Sequence, residues 1–207
     1  MKITSTIWKS TFREIKQSMG RFLAIVAIVA LGVGFFSGLK VTQPAMIKTT
    51  QKYLDEHNFF DYHIFSTEGF SDEDVAAFAA QEDVRAAEGT IAFDILCGVS
   101  GGNEVALKAL GIPEKVNGIV LVEGRLPEQK NECVVDANLY GDSVIGKKLI
   151  LSEENTDLDL DHFAYREYTI TGRVQSPLYI QFERGTTSLG SGQLSGFFYL
   201  KPDGFEL

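Results

Sequence analysis

The sequence predicts an α+β protein, with one N-terminal transmembrane helix followed by a mixed α+β extracytoplasmic domain. Three observations lead there. An uncharged apolar run extends from Phe22 to Leu39. Charge is split across that run: residues 1–21 hold five basic side chains and one acidic, Lys40 stands alone, and residues 41–207 hold 13 basic and 27 acidic. Beyond residue 58 the chain breaks into short apolar or alternating segments separated by turn residues, the pattern of a sheet with few helices. At 207 residues, with 44% apolar and 23% charged, the chain has enough apolar content to exclude wholesale disorder. A net charge of −9 excludes nucleic acid as a general partner, because phosphate binding needs a basic footprint.

The apolar run is a membrane span by length. Its 18 residues make about 27 Å of helix, close to the hydrocarbon thickness of about 30 Å. Val41 and Thr42 extend it slightly. Lys2, Lys9, Arg13, Lys16 and Arg21 precede it, so the positive-inside rule puts residue 1 in the cytoplasm and the acidic region outside, at the cell membrane. A cleaved signal peptide is the rival reading. It is disfavoured by the long basic lead-in, the length of the run, and the lack of a small-x-small site in SGLKVTQPA. Within the run Ala30, Gly34 and Gly38 recur every four residues and line one face, where small residues let helices pack closely in lipid. Upstream, Ile3, Ile7, Trp8, Phe12, Ile15, Met19 and Phe22 recur at helical period, with Lys9, Arg13, Lys16 and Gln17 filling much of the other face. A basic amphipathic helix of this kind lies along the membrane surface, which makes membrane lipids a partner. The boundaries are therefore a cytoplasmic amphipathic helix over 1–21, a transmembrane helix over 22–42, a helical stalk over 43–57, and an outer domain over 58–207.

Pro44 is expected to open or kink the stalk. FFDYHIF, residues 59–65, reads as a strand. Ser71 and Asp74 form a variant capping box ahead of the short helix VAAFAAQ. A strand over 89–97, the turn GVSGGNE and the segment EVALKAL read as a hairpin. Later strands are expected at ECVVD, VIGKKLILS, EYTITGRV and GFFYLKP, with loops over 155–161 and 188–195. Because KPDGFEL follows a strand so closely, the last elements are expected to lack sheet partners, and the chain reads as part of something longer.

Several patterns touch on catalysis or metal binding. Residues 98–102, GVSGG, fit G-x-S-x-G around Ser100, but a nucleophile elbow needs a helix next, and EVALKAL reads as a strand. Residues 185–190 have P-loop glycine spacing, yet Ser191 and Gly192 replace the Lys-Ser/Thr that would hold phosphate and magnesium. Asp157, Asp159 and Asp161 alternate as in a calcium loop, but His162 and Tyr168 stand where Gly and Glu belong. Cys97 and Cys133 either bridge in an oxidising compartment or fill apolar strand positions as free thiols. His57, His63 and His162 have no zinc spacing. The expectation is therefore no catalytic, cofactor-binding or metal-binding residue on this chain.

The segment TFREIKQSMGRFLAIVAIVALGVGFFSGL resembles the first membrane helix, with its lead-in, of FtsX/MacB-type ABC transporter permeases. VEGRLPEQKNECVVDANL, VIGKKLIL and EYTITGRVQSPLY are similar to that family's MacB-like extracytoplasmic core domain. There a Gly-Arg turn precedes an acidic residue and a strand, followed by an "iGk" strand and a "t-v-G-v" strand. The matching positions are Gly124, Arg125, Glu132, Gly146 and Gly172. The resemblance implies a core domain between the first and second membrane helices, three further helices after it, an ABC-type ATPase subunit that carries the ATP, and a second permease unit. It carries over no catalytic residue. The function it implies is mechanical: ATP-driven motion coupled to an outer domain for export, extraction or signalling. The alternatives are a stand-alone single-pass binding or sensor protein and a membrane-tethered hydrolase using Ser100.

Overall fold

A computed structural model describes residues 3–66 and 69–206, the side chains of residues 3–6 excepted. Lys2 of the basic lead-in, the Ile3 side chain of the amphipathic face and the terminal Leu207 lie outside the described residues. The chain divides into two units, residues 1–52 and residues 53–207.

The first unit is helical. Helix α1 (Ile3–Gln17) ends where Ser18 turns its hydroxyl back onto the Glu14 carbonyl at 2.9 Å. Such back-bonding competes with helix continuation, and Gly20 follows. Helix α2 (Met19–Glu56) then runs 38 residues, about 57 Å. It is long and apolar enough to cross a membrane. One helix carries both the 22–42 segment and nearly all of the 43–57 stalk. Pro44 lies inside it and withholds an N–H from the Lys40 carbonyl, yet the helix continues on both sides. Gly34 and Gly38 have nothing within 4 Å of where a Cβ would stand among the described residues.

The second unit is a mixed sheet. Its strands are β1 (Ala92–Val99), β2 (Val105–Gly111), β3 (Val120–Gly124), β4 (Glu132–Asp136), β5 (Lys148–Leu151), β6 (Glu167–Gln175) and β7 (Gly196–Leu200). Their order is β3-β6-β4-β7-β2-β1-β5, and β5 also pairs with β6. That last pairing closes six strands into a ring, with β3 paired along the C-terminal half of β6. The β2–β7 and β4–β6 pairs are parallel, while β1–β2, β1–β5, β4–β7 and β5–β6 are antiparallel. Closure removes the free edges that an open sheet would expose.

Alternation decides what fills the ring. Ile95 and Cys97 of β1, Leu107 and Ala109 of β2, Cys133 and Val135 of β4, Leu149 and Leu151 of β5, Tyr168 and Ile170 of β6, and Phe198 and Leu200 of β7 form one buried cluster. Their neighbours Leu110, Val134, Val174, Phe197 and Tyr199 form a second cluster on the opposite face, with Ile119, Leu178 and Tyr179 packed on it. This explains why β7 is buried at every position rather than at alternate ones.

The hairpin of β1 and β2, strands β4, β6 and β7, and the Ser71–Asp74 capping box of α3 (Asp72–Ala79) match the sequence reading. Four expectations are corrected. Residues 59–65 form no strand: Asn58 turns left-handed at φ 49°, the Phe59 and Asn58 amides close the end of α2 onto the Leu54 and Asp55 carbonyls, and no strand pairs with them among the described residues. VIGKKLILS is a strand only at β5, because a 3₁₀ turn (Asp142–Val144) and the left-handed Gly146 occupy its start. Residues 155–161 are not a plain loop, since the Thr156 hydroxyl caps the short helix α4 (Asp157–Asp161) by accepting from the Asp159 amide at 3.2 Å. The last strand is not unpaired: β7 sits between β4 and β2. Strand β3 went unpredicted, because VLVEG is short and its outer positions are exposed.

Candidate functional site

The five family-like positions gather around residues 170–172 of β6. Gly172 pairs with Gly124 of β3 and with Val134 of β4. The strands approach so closely that a Cβ on Gly124 would stand 2.3 Å from the Thr171 carbonyl oxygen. A Cβ on Gly172 would stand 2.7 Å from the carbonyl oxygens of Glu123 and Arg125. Gly124 also has φ 81°, which glycine adopts without penalty. Thr171 is bulged, since the β4 register passes from Ile170 to Gly172. Its hydroxyl donates to the Arg125 carbonyl at 3.0 Å, and the Arg125 amide donates to the Thr171 carbonyl at 3.0 Å. Gly146, at φ 84°, donates its amide to the Ile170 carbonyl at 2.8 Å from the other side.

Arg125 and Glu132 close the loop between β3 and β4. The guanidinium donates to both carboxylate oxygens, at 2.8 and 2.5 Å, and the Glu128 and Gln129 amides donate to Oε2 at 2.8 and 3.1 Å. The Arg125 hydrogen bonds, with those two amides, hold the Glu132 carboxyl down to about 2. The family-like set is therefore a backbone and ion-pair brace, of which only the order of residues was legible in the sequence.

A separate pocket of ≈190 Å³ lies in the same unit. Tyr53 in the last turns of α2, Asn138, Gln175, Ser176, Tyr179, Ile180 and Phe197 line it. Tyr179 stacks on Phe197 with centroids 4.6 Å apart and planes 10° apart. The Arg184 guanidinium lies 5.5 and 5.6 Å from those two ring centroids and donates to Asp136 Oδ2 at 2.8 Å. Both members of this ion pair are buried, at 4% and 1% exposure. Arg184 also donates to the Tyr179 and Gln181 carbonyls, and Asp136 Oδ1 accepts from the Asn138 amide at 2.9 Å. Together these contacts satisfy the charges that burial would otherwise penalise. Behind the pocket Ser176 Oγ and the Tyr199 hydroxyl share a 2.8 Å hydrogen bond. Burial pushes the Tyr179 phenol up to about 12 and raises Tyr53 and Tyr199 as well. Aromatic faces with amide and hydroxyl groups suit the holding of a neutral or apolar group. Sequence reasoning missed this site: Asp136 and Arg184 are 48 residues apart, and no spacing motif connects them.

The end of α2 is tied to the loop before β3. The Asn117 amide donates to the Asn58 carbonyl at 3.0 Å, the Gly118 amide to the His57 carbonyl at 2.9 Å, and the Phe60 amide to Asn117 Oδ1 at 3.1 Å. Asn117 takes φ 59° to do so, a conformation that Asn tolerates well. The Tyr53 and His57 rings meet at 4.4 Å one turn apart.

The remaining motifs are dispersed. Ser100 sits in the β1–β2 turn, followed by a strand rather than a helix. His162 stacks on Phe93 at 4.3 Å. Residues 185–190 form a loop bridged by Thr186 and Gln193. Asp159 accepts from the Thr156 hydroxyl at 2.6 Å rather than facing a shared centre with Asp157 and Asp161. Among the described residues no three His, Cys, Asp or Glu side chains converge as a metal site would require. Cys97 and Cys133 are both fully buried and free, and burial raises both thiols.

No protein-family model matches this chain, and no curated protein matches it. Among solved structures it is similar to a domain of a protein designated a permease from Porphyromonas gingivalis, at 18% identity with a TM-score of 0.34. The match covers 54% of this chain and 44% of that one, so the chain spans less than half of the structure it matches.

Proposed function

We propose that the chain is a membrane permease component of an ABC transporter, with its basic end in the cytoplasm and its barrel domain outside. ATP is hydrolysed by a separate ATPase subunit. Motion reaches the barrel domain along α2, and the chain itself carries out no catalysis. The observation that carries this reading is the tie between the end of α2 and the barrel domain through His57, Asn58, Phe60, Asn117 and Gly118. A helix of span length that runs straight into residues bonded to a folded domain can transmit displacement; a flexible linker would absorb it. The brace of Gly124, Arg125, Glu132, Gly146 and Gly172 adds support, since the family-like positions meet in space although they spread over 49 residues. The face of Ala30, Gly34 and Gly38 would meet the second permease unit.

A stand-alone membrane-anchored binding protein is the second reading, and the aromatic pocket at Tyr53, Tyr179 and Phe197 is what favours it. Lysine-reactive cross-linking in native membranes separates the two. The permease reading expects an ATPase with a P-loop attached to Lys9 or Lys16. Native membranes in which no ATPase attaches there would overturn it in favour of the binding protein.

A further inference from the structure

Helix α1 is sided in two respects. At 100° per residue, Ile7, Trp8, Phe12 and Ile15 fall within an arc of about 140°. Ile7, Trp8 and Phe12 are 58%, 67% and 67% exposed, so among the described residues nothing covers these three, while Ile15 is half-buried. Lys9, Arg13 and Lys16 fall within about 60° of one another, beginning about 40° from Phe12. The one acidic residue of the helix, Glu14, lies on the far side of the apolar arc, beside Ile7 rather than among the bases. Cations bordering one flank of an apolar face reach phosphate level while the rings sit among acyl chains.

We infer that α1 is an anionic-lipid binding element, which inserts Trp8 and Phe12 at the membrane surface and pairs Lys9, Arg13 and Lys16 with acidic phospholipid headgroups. The occupant follows from charge: a zwitterionic surface would satisfy the apolar arc but leave the basic stripe unmatched, whereas an anionic leaflet satisfies both. The inference rests on the proposed topology only for which leaflet α1 meets. The span holds the chain in the membrane in either case, so lipid composition would set the depth and orientation of α1 rather than overall attachment.

Trp8 is the only tryptophan in the chain, so its fluorescence reports on α1 alone. The full chain is reconstituted into vesicles with brominated acyl chains, either phosphatidylcholine alone or phosphatidylcholine with phosphatidylglycerol, the same in both leaflets. The expected result is Trp8 quenching several-fold greater on the anionic vesicles, reversed by high salt. A triple K9Q/R13Q/K16Q variant should lose the difference, and a K9R/K16R variant, which keeps the charge and controls for folding, should retain it. Equal quenching on both compositions would overturn the inference, and so would no quenching on either, which would mean that α1 docks on protein. Because both leaflets are identical, the outcome does not depend on orientation. Failure to cross-link an ATPase would overturn the permease reading while leaving this result standing.

Discussion

Arg125 holds Glu132 through both ends of its guanidinium, and the Glu132 carboxylate in turn holds two amides of the loop between them. This one pair fixes the connection from β3 to β4 and, with it, the position of β3 on β6. Replacing Glu132 with Gln keeps the shape but loses the charge-assisted bonds, which are worth about 2 kcal/mol. Denaturant unfolding of the detergent-solubilised chain should show that loss at neutral pH. Because folding lowers the Glu132 carboxyl from 4.5 to about 2, its contribution is complete above pH 4.5 and fades as pH falls towards 2. The difference between wild type and E132Q should therefore shrink on acidification over that window.

Gly124→Ala and Gly172→Ala should each destabilise by about 2 kcal/mol or more, because the added methyl meets backbone oxygen rather than a movable side chain. Gly141, which has open space around it and a negative φ, is the control. Gly141→Ala should stay within about 0.5 kcal/mol of wild type in the same unfolding measurement.

Removing one member of the buried pair should cost more than removing both. Asp136→Ala strands the Arg184 charge at 4% exposure and should lose about 3–5 kcal/mol. The double variant Asp136→Leu with Arg184→Met should recover a large part of that loss. Equal losses for the single and double variants would mean that Arg184 is solvated once Asp136 is gone.

Cys97 and Cys133 should resist thiol reagents in the native chain and react fully once it is unfolded, because both are fully buried and burial disfavours the thiolate. Titration with a chromogenic disulfide, with and without denaturant, counts them directly. Rapid native labelling of either would contradict the packing of the barrel interior.

Local signals in the sequence read well where chemistry and periodicity are both local. The Phe22–Leu39 run, the Ser71–Asp74 cap and the hairpin of Ala92–Gly111 are each contained in one short stretch of chain. The barrel was not legible, because its closure depends on β5 reaching β6 and on β7 threading between β4 and β2, contacts set by packing rather than by pattern. FFDYHIF shows the opposite failure. Its aromatic residues have strand propensity, but propensity expresses itself only beside a strand partner, and among the described residues none pairs with 59–65. The family-like positions were identifiable only as an ordered set, whereas Asp136, Arg184 and Tyr179 left no trace, because an ion pair across 48 residues has no spacing rule.

In the proposed topology one span separates the basic end from the barrel domain, and labelling from the two sides of the membrane decides this. A cysteine is placed at Ser10 in α1 and, in a second variant, at Ser188 in an exposed loop of the barrel domain, with a membrane-impermeant maleimide applied to intact cells and to inverted vesicles. With that topology Ser188→Cys reacts only in intact cells and Ser10→Cys only in inverted vesicles. Both reacting from the same side would contradict it.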